Sequence, residues 1–308
     1  MAILLNNHGY DNTPWVENLT QWRPDLPVVE FSTVQQQPEW VARIRYAAVW
    51  HHPMEDLFRY PHLEAIFILG AGTEDIDAAE RVPDVPIVRL IDPEILDDMA
   101  FYVLHWVLHA QRGFDVYRQQ QNDKYWQRYM SPRVRDYTVL VLGLGPVGAE
   151  VARRLHINGF DVRGWNLRPV EAIDMTCFIG DHALEEAMQG VDVVVNCLPL
   201  KPNTRHLINA SRMKCIKKGG VVINVSRGGI IDHSALLAQL DAGHLSLAVL
   251  DVFEQEPLPV SSPLWSHPNV VVTPHMSGAT HARSAAKVLA ENIARLERGE
   301  TPFPLYKR

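Results

Sequence analysis

The feature that most constrains this chain is a glycine-rich turn that directly follows a short apolar run. The run is Val-Leu-Val-Leu at 139–142, and the turn is Gly-Leu-Gly-Pro-Val-Gly at 143–148. The apolar residues Val147, Val151 and Leu155 then recur every four positions, which predicts one face of a helix. A second apolar run follows that helix, so the glycines lie inside a predicted strand-helix-strand unit.

Each glycine of this turn has a separate physical role if the unit binds a dinucleotide. Gly143 permits the tight turn, Gly145 lets the backbone approach a pyrophosphate, and Gly148 lets the helix lie close to the sheet. The N–H groups at the start of the helix would face the anion. The remaining positions of the predicted coenzyme loop are Leu144, Pro146 and Val147. On the motif alone, a tight strand-to-helix connection that binds nothing stays open as an alternative.

The rest of the pattern predicts an α/β protein with two domains. At 308 residues the chain is longer than one typical core. Short apolar runs alternate with helical segments before residue 100, and four further runs follow the glycine turn, so we expect parallel sheets covered by helices. Helical segments are predicted over 209–217 and over 283–298, and the second is expected to return to the first domain.

A single long helix is predicted from Pro93 to about Gln121, where the chain passes to the second domain. It is rich in large side chains, which suits either an inter-subunit surface or a local core, and both interpretations stay open. Its two histidines are four residues apart but lack the H-E-x-x-H pattern, so no metal site is predicted. The large side chains are Tyr102, His105, Trp106, His109 and Phe114.

Composition excludes several other classes of protein. The formal net charge is −7 and the basic residues are scattered, which argues against nucleic acid as a partner. Cys177, Cys197 and Cys215 match no zinc spacing, and an odd number fits no disulfide framework, so reduced thiols in a cytoplasmic protein are expected. No run approaches about 18 apolar residues, and we expect no membrane partner.

Three polar residues follow separate strands of the second predicted sheet: Arg227, Glu256 and His275. Because ligands bind at the carboxyl ends of the strands in such sheets, we expect these residues to meet beside a coenzyme. A guanidinium can clamp a carboxylate, and a histidine kept protonated by a carboxylate can donate the proton that accompanies a hydride. Singly, each residue also fits a surface or loop position; together they favour a catalytic set.

Three further motifs accompany the glycine turn: Asn-Val-Ser-Arg-Gly at 224–228, Leu-Asp-Val-Phe-Glu-Gln-Glu-Pro at 250–257, and Thr-Pro-His at 273–275. Together the four motifs resemble the D-isomer-specific 2-hydroxyacid dehydrogenase family, and the resemblance covers essentially the whole chain. It implies an α/β fold with two doubly wound parallel-sheet domains. A flavodoxin-like substrate domain would consist of residues 1–100 and 282–308, and an inserted Rossmann dinucleotide-binding domain would span 101–281.

The resemblance also implies roles for individual residues. Arg227, Glu256 and His275 would be catalytic, and Arg227 would also contact the substrate. Further residues at the coenzyme would be Leu198, Pro199, Thr204, Val225 and, beside the nicotinamide, Asp251. The substrate site would include Trp50, Ala71 and Gly72, the last two through backbone amides that hold the substrate carboxylate. A core position for Trp50 at the end of its strand stays open as an alternative.

Three short segments, at 49–53, 69–72 and 262–268, resemble those of the family's glyoxylate and hydroxypyruvate reductases. This implies NAD(P)H-dependent reduction of small 2-oxo acids such as glyoxylate and hydroxypyruvate by a homodimer. An alternative from another class is a non-catalytic, nucleotide-sensing protein on the same fold, similar to the corepressors that resemble this family. Such proteins retain the same Arg, Glu and His, so these residues do not separate the two functions.

Coenzyme preference depends on the residue that ends the second strand of the unit. NAD-dependent enzymes have Asp or Glu there to hold the ribose 2′-OH, and that carboxylate would repel a 2′-phosphate. Asn166 occupies this place and Arg168 follows two positions later, so we expect NADP to be preferred and NAD to be accepted. The reductase branch usually has two basic residues here and this chain has one, so the expected preference is moderate.

Replacing Arg168 by alanine should lower kcat/KM for NADPH about 10-fold and leave the value for NADH nearly unchanged, because only the 2′-phosphate would pair with the guanidinium. The measurement is kcat/KM for both coenzymes in the wild type and the variant. Equal losses with the two coenzymes would mean that Arg168 supports the fold and does not read the phosphate.

Overall fold

The computed structural model describes residues 1–70, 72–170 and 175–306. It divides the chain into two compact units, Met1–Ile95 with Thr280–Arg308, and Leu96–Ala279. Each unit contains a parallel sheet, of five strands in the first and seven in the second. This architecture confirms the predicted α/β fold class of two doubly wound parallel-sheet domains. The domain limits drawn from the sequence, at residues 100 and 282, stay a prediction.

The strands and helices alternate along most of the chain, as parallel sheets require. The strands are β1 (Ala2–Asn7), β2 (Val28–Glu30), β3 (Ile44–Trp50), β4 (Ala65–Ile68), β5 (Ile87–Val88), β6 (Thr138–Leu142), β7 (Asp161–Asn166), β8 (Thr176–Ile179), β9 (Val193–Asn196), β10 (Gly220–Asn224), β11 (Leu245–Leu250) and β12 (Val270–Val272). The helices are α1 (Thr13–Trp22), α2 (Phe31–Gln36), α3 (Glu74–Ala78), α4 (Pro93–Arg112), α5 (Phe114–Asn122), α6 (Pro146–Ile157), α7 (Leu184–Met188), α8 (Ala210–Met213), α9 (His233–Asp241) and α10 (Ala282–Glu297). Short 3-10 helices lie at Pro38–Arg43, Met54–Arg59, Val134–Asp136, Asp181–Ala183, Gly228–Ile230 and Pro263–Trp265.

The first unit has the strand order β2-β1-β3-β4-β5, which is that of flavodoxin-like folds. Its central strands β1 and β3 are almost completely buried because helices cover both faces of the sheet. Helix α10 completes this unit with a buried stripe at i, i+4 spacing, formed by Ala285, Leu289 and Ile293. The predicted helix over 283–298 is therefore confirmed, one residue earlier at each end.

The second unit has the strand order β12-β11-β10-β9-β6-β7-β8. The chain builds one side of the sheet from β6 outward through β7 and β8, and then returns to place β9 on the other side of β6. The strand order therefore reverses between β6 and β9, and folds of this kind bind ligands in the crevice at that point. In the part of the chain that the structure describes, no helix has the length and apolar character needed to cross a membrane.

Three elements differ from the prediction. The single helix expected from 93 to 121 is two helices, α4 and α5, because Gly113 has a φ of 67° and interrupts them. The helix expected over 209–217 is only the four residues of α8, because the chain then tightens into turns in which Cys215 and Ile216 bond to carbonyls three residues back. Strand β8 was not predicted, since it is short and only half-buried.

The glycine turn has the close packing that its sequence predicts. Gly143 has a φ of 88°, in the left-handed region that favours glycine. A Cβ on Gly148 would lie 1.7 Å from the carbonyl oxygen of Gly143, so helix α6 can start here only without a side chain at that position. A Cβ on Gly145 would meet nothing within 4 Å, so the space beside that residue is open.

Replacing Gly148 by alanine should therefore lower the free energy of unfolding of the second unit by about 3 kcal/mol, because the new methyl group overlaps a backbone oxygen. Gly145→Ala is the matched control, because its φ of −69° suits alanine and its surroundings are open. That variant should unfold at the wild-type urea concentration or slightly above it. Equal urea midpoints for the two variants would contradict this account of the turn.

Candidate functional site

The glycine turn lies against the segment that follows strand β9. The ideal Cβ of Gly143 would come within 3.1 Å of the backbone of Cys197 and 3.0 Å of the side chain of Leu198. Thr204, which is buried, holds this second segment in shape by donating to the carbonyl oxygen of Pro199 at 2.7 Å. The structure therefore brings together the predicted coenzyme residues 143–148 and 198–204 at the switch point of the sheet.

Asn166, at the end of β7, lies beside the same turn. Its Oδ1 accepts a hydrogen bond from the backbone N–H of Leu144 at 3.3 Å, and its Nδ2 donates to the carbonyl oxygen of Arg168 at 2.8 Å. The side chain of Arg168 is exposed. A neutral amide thus occupies the position at which the sequence predicts contact with the ribose of a coenzyme, and a guanidinium lies on the adjoining loop.

His275 and Glu256 form the central contact of the candidate site. His275 Nδ1 lies 2.7 Å from Glu256 Oε2, and Glu256 Oε1 accepts from the backbone N–H of Phe253 at 2.8 Å. Because a carboxylate only accepts hydrogen bonds, Nδ1 carries the proton of this contact. Nε2 is then the ring nitrogen that can exchange a proton with a ligand.

Arg227 lies on the loop beside this pair. Its neighbour Gly228 packs so closely on the loop of Glu256 that a Cβ there would lie 1.9 Å from the carbonyl carbon of Phe253. The guanidinium, which donates to the carbonyl oxygen of Ser226 at 2.7 Å, is near enough for its charge to lower the pKa of both His275 and Glu256. The structure thus groups the three predicted catalytic residues at one edge of the sheet.

The pKa values of the pair move apart. The hydrogen bond to Glu256 raises the pKa of His275 above its usual 6.5, against the opposing effect of burial. Burial raises the pKa of Glu256, but the hydrogen bonds from His275 and from the N–H of Phe253 outweigh it, so the net pKa lies below 4.5. The pair's contribution to stability is therefore lost as pH falls through the pKa of Glu256 or rises through that of His275.

Asp251 holds the loop that carries His275. Its carboxylate is completely buried and accepts from Thr273 Oγ1 at 2.6 Å, and from the backbone N–H groups of Met276 and Ser277 at 2.9 Å each. Its own carbonyl oxygen accepts from the backbone N–H of His275, which has a φ of 52°. The predicted place of Asp251 beside a nicotinamide stays a prediction; its contacts in this structure go to the histidine loop.

Sequence reasoning missed two buried polar residues, Asn196 and Asn224. They end strands β9 and β10, and neither is exposed to solvent. Their side chains hydrogen-bond to each other at 2.8 Å and to the loops of Leu198 and Arg227. A signal was available, because each is a single amide that closes an otherwise apolar strand, where a polar group must find a partner.

Three of the four predicted substrate residues, Trp50, Ala71 and Gly72, belong to the first unit. Trp50 is the half-buried last residue of β3, and its indole lies over Gly70, where a Cβ would be 2.4 Å from the ring. Gly72 is buried. Ala71 lies outside the described residues. A substrate role for Trp50, Ala71 and Gly72 stays a prediction, as does the coenzyme role of Val225, which is buried directly after β10.

Within 1–70, 72–170 and 175–306, no group of three His, Cys, Asp or Glu side chains could hold a metal ion.

Comparison with known proteins places the chain among dehydrogenases. Residues 104–277 match the profile of the D-isomer specific 2-hydroxyacid dehydrogenase NAD binding domain. The chain is 36% identical over 306 residues to glyoxylate/hydroxypyruvate reductase A of Klebsiella pneumoniae (strain 342), covering 97% of this chain and 96% of that protein. The reductase A of Photorhabdus laumondii is 34% identical over the same coverage.

Solved structures give the same result. A D-isomer specific 2-hydroxyacid dehydrogenase from Xanthobacter autotrophicus Py2, in complex with NADPH and MES, is 38% identical with a TM-score of 0.91, covering 99% of this chain and 98% of that one. The NADPH-dependent glyoxylate/hydroxypyruvate reductase of Sinorhizobium meliloti, in complex with NADP and sulfate, is 29% identical with a TM-score of 0.91, covering 100% and 98%.

Replacing Glu256 by glutamine should lower the pKa of His275, because the amide keeps the shape of the side chain but not the charge that stabilises the imidazolium. An NMR titration of the His275 ring should show proton loss at lower pH than in the wild type. Glu254→Gln is the control, since Glu254 is on the same loop but contacts His206 at 2.6 Å. A His275 titration that moves equally in both variants, or in neither, would contradict this account.

Proposed function

Because the chain belongs to the D-isomer-specific 2-hydroxyacid dehydrogenase family, we propose that it reduces small 2-oxo acids, such as glyoxylate and hydroxypyruvate, with NADPH. The observation that carries the proposal is the 2.7 Å contact of His275 with Glu256 beside Arg227, at the sheet edge that also bears the glycine turn. The names of the similar curated proteins support the substrate class.

The residues present fit a dinucleotide. The open space beside Gly145 leaves room for a pyrophosphate, and helix α6 begins at the next residue, so its first N–H groups are available to the anion. The segment from Leu198 to Thr204 would border the rest of the coenzyme. When bound, NADPH would supply the hydride that forms the new C–H bond of the product.

In the proposed reaction, Arg227 holds the substrate through two parallel hydrogen bonds to its carboxylate. Its positive charge also polarises the neighbouring carbonyl group. His275 donates the proton on Nε2 to the carbonyl oxygen of the substrate, which becomes the hydroxyl oxygen of the product. Glu256 stabilises the imidazolium before this transfer, so that the proton is available at neutral pH.

We propose that NADPH is preferred and NADH accepted. Asn166 offers the 2′-phosphate no negative charge, and Arg168 offers it a guanidinium. The similar structures from Xanthobacter autotrophicus and Sinorhizobium meliloti, which contain NADPH and NADP, support this preference. A single basic residue accounts for a moderate preference and not for exclusion of NADH.

We also propose a homodimer. Large side chains in the segment after α5 are strongly exposed in the single chain: Tyr125 at 58%, Trp126 at 100% and Met130 at 86%. Exposed aromatic groups of this size are typical of interfaces, because contact with a second protein surface removes them from water.

The proposed function is tested by mixing the protein with NADPH and either glyoxylate or hydroxypyruvate, and recording the loss of NADPH absorbance. Turnover with either acid is the expected result. A protein that binds NADPH tightly but oxidises none of it would instead be the nucleotide-sensing alternative.

Replacing Arg227 by lysine should lower kcat/KM for glyoxylate about 100-fold, because an ammonium cannot form the two-pronged contact with a carboxylate. Such a contact contributes about 1.5–3 kcal/mol. Arg205→Lys is the matched control in the same unit, since the exposed Arg205 lies 3.5 Å from Glu254 and has no role in the proposed reaction. An Arg227→Lys enzyme that is as active as the Arg205→Lys enzyme would remove Arg227 from the mechanism.

A further inference from the structure

Two amide side chains are buried where the loops of the candidate site begin. Asn196 is the last residue of β9 and Asn224 the last residue of β10, and the two are direct partners in the parallel register. Neither has any exposed surface. A buried amide without hydrogen-bond partners lowers the stability of a protein by about 1–3 kcal/mol. Such a pair is therefore expected only where its N–H and C=O groups have hydrogen-bond partners.

The amides form a directional chain of hydrogen bonds. Asn196 Oδ1 accepts from the backbone N–H of Leu198 at 3.2 Å, and Asn196 Nδ2 donates to Asn224 Oδ1 at 2.8 Å. Asn224 Oδ1 also accepts from the N–H of Ser226 at 3.2 Å, and Asn224 Nδ2 donates to the carbonyl oxygen of Arg227 at 3.1 Å. Turning either amide over would place donor against donor, so the contacts determine both orientations.

The ends of this chain are two functional loops. Leu198 begins the loop predicted to border the coenzyme, and Arg227 is the residue proposed to hold the substrate. A second link joins the same loops, because Ser226 Oγ donates to the carbonyl oxygen of Leu198. The backbone N–H of Ser226 and the carbonyl oxygen of Arg227 are therefore connected to the coenzyme loop through hydrogen bonds of Asn224 and Asn196.

We propose that Asn224, oriented by Asn196, is a positioning residue that places Arg227 for the substrate and couples it to the coenzyme loop. The inference rests on the proposed function of Arg227 and adds a residue to it. An asparagine is required because one side chain must accept from Asn196 and Ser226 and also donate to Arg227. An aspartate has no N–H group, and its charged form would set a carboxylate oxygen against the carbonyl oxygen of Arg227.

The first test is kcat/KM for glyoxylate at saturating NADPH in Asn224→Ala, with NADPH affinity measured by fluorescence and stability by urea unfolding. We expect a loss of about 10- to 100-fold in kcat/KM, as for other small misplacements of a reacting group, and a much smaller change in NADPH affinity. Asn209→Ala is the matched control, because the Asn209 side chain caps α8 by accepting from the N–H of Arg212 and from Ser211 Oγ. It should lower stability without lowering kcat/KM.

The pH dependence of activity in Asn224→Asp separates a positioning role from a purely structural role, which would not change that dependence. Burial favours the protonated carboxyl group, which can donate to Arg227 as the amide does. The ratio of Asn224→Asp activity to wild-type activity, measured at each pH, should therefore rise as the pH is lowered. A constant ratio across the pH range would overturn the proposal.

Asn196→Ala tests the coupling even where an Asn224 variant folds poorly. Each loss of kcat/KM can be expressed as a free energy. The loss in the Asn196→Ala/Asn224→Ala double variant should be smaller than the sum of the two single losses, because both substitutions remove the same contact. Additive losses, or losses that follow the unfolded fraction, would overturn the inference. If the wild type oxidises no NADPH, the proposed function is wrong, but the positioning role can still be tested. The test is then a crystal structure of Asn224→Ala, in which an unmoved Arg227 backbone would overturn the positioning role.

Discussion

The candidate site depends on the parallel register of the second sheet. One row of paired residues crosses six of its strands, and each loop of the site begins at the end of its strand, directly after this row or one residue beyond it. The hydrogen bonds of the sheet thus bring chain segments that are far apart in sequence to a common edge. A shift of one strand by one residue would turn its side chains to the opposite face and displace its loop. The row consists of Trp165, Leu142, Asn196, Asn224, Leu250 and Val272.

Buried polar side chains fix the positions of the loops at this edge of the sheet. Asp251, Asn196 and Asn224 have no exposed surface. Asp251 and Asn224 each bind a loop that carries a proposed catalytic residue, and Asn196 binds the predicted coenzyme loop. Leaving any of them unpaired would carry the full desolvation cost, so these loops have one favoured arrangement. The positive φ of His275 is consistent with this, because a non-glycine residue keeps that conformation only where its surroundings hold it.

Sequence reasoning predicted the fold class because both sheets are buried parallel sheets with apolar strands and amphipathic helices. It failed where the local signal was weak or misleading. Strand β8 is short and half-buried, so it lacks a clear pattern. The helical pattern of α4 continues into α5, and the break at Gly113 comes from a left-handed conformation that glycine permits but does not require.

By itself, the sequence determined the glycine turn, the alternation of strands and helices, and the residue types that ionise at the proposed site. These depend on local spacing and on side-chain chemistry, which the order of residues contains. Only the tertiary structure decided that Glu256 binds the Nδ1 side of His275, that Asp251 supports the histidine loop, and that Asn196 pairs with Asn224. Those contacts join residues from different strands, and their geometry follows from register and burial, which no local pattern specifies.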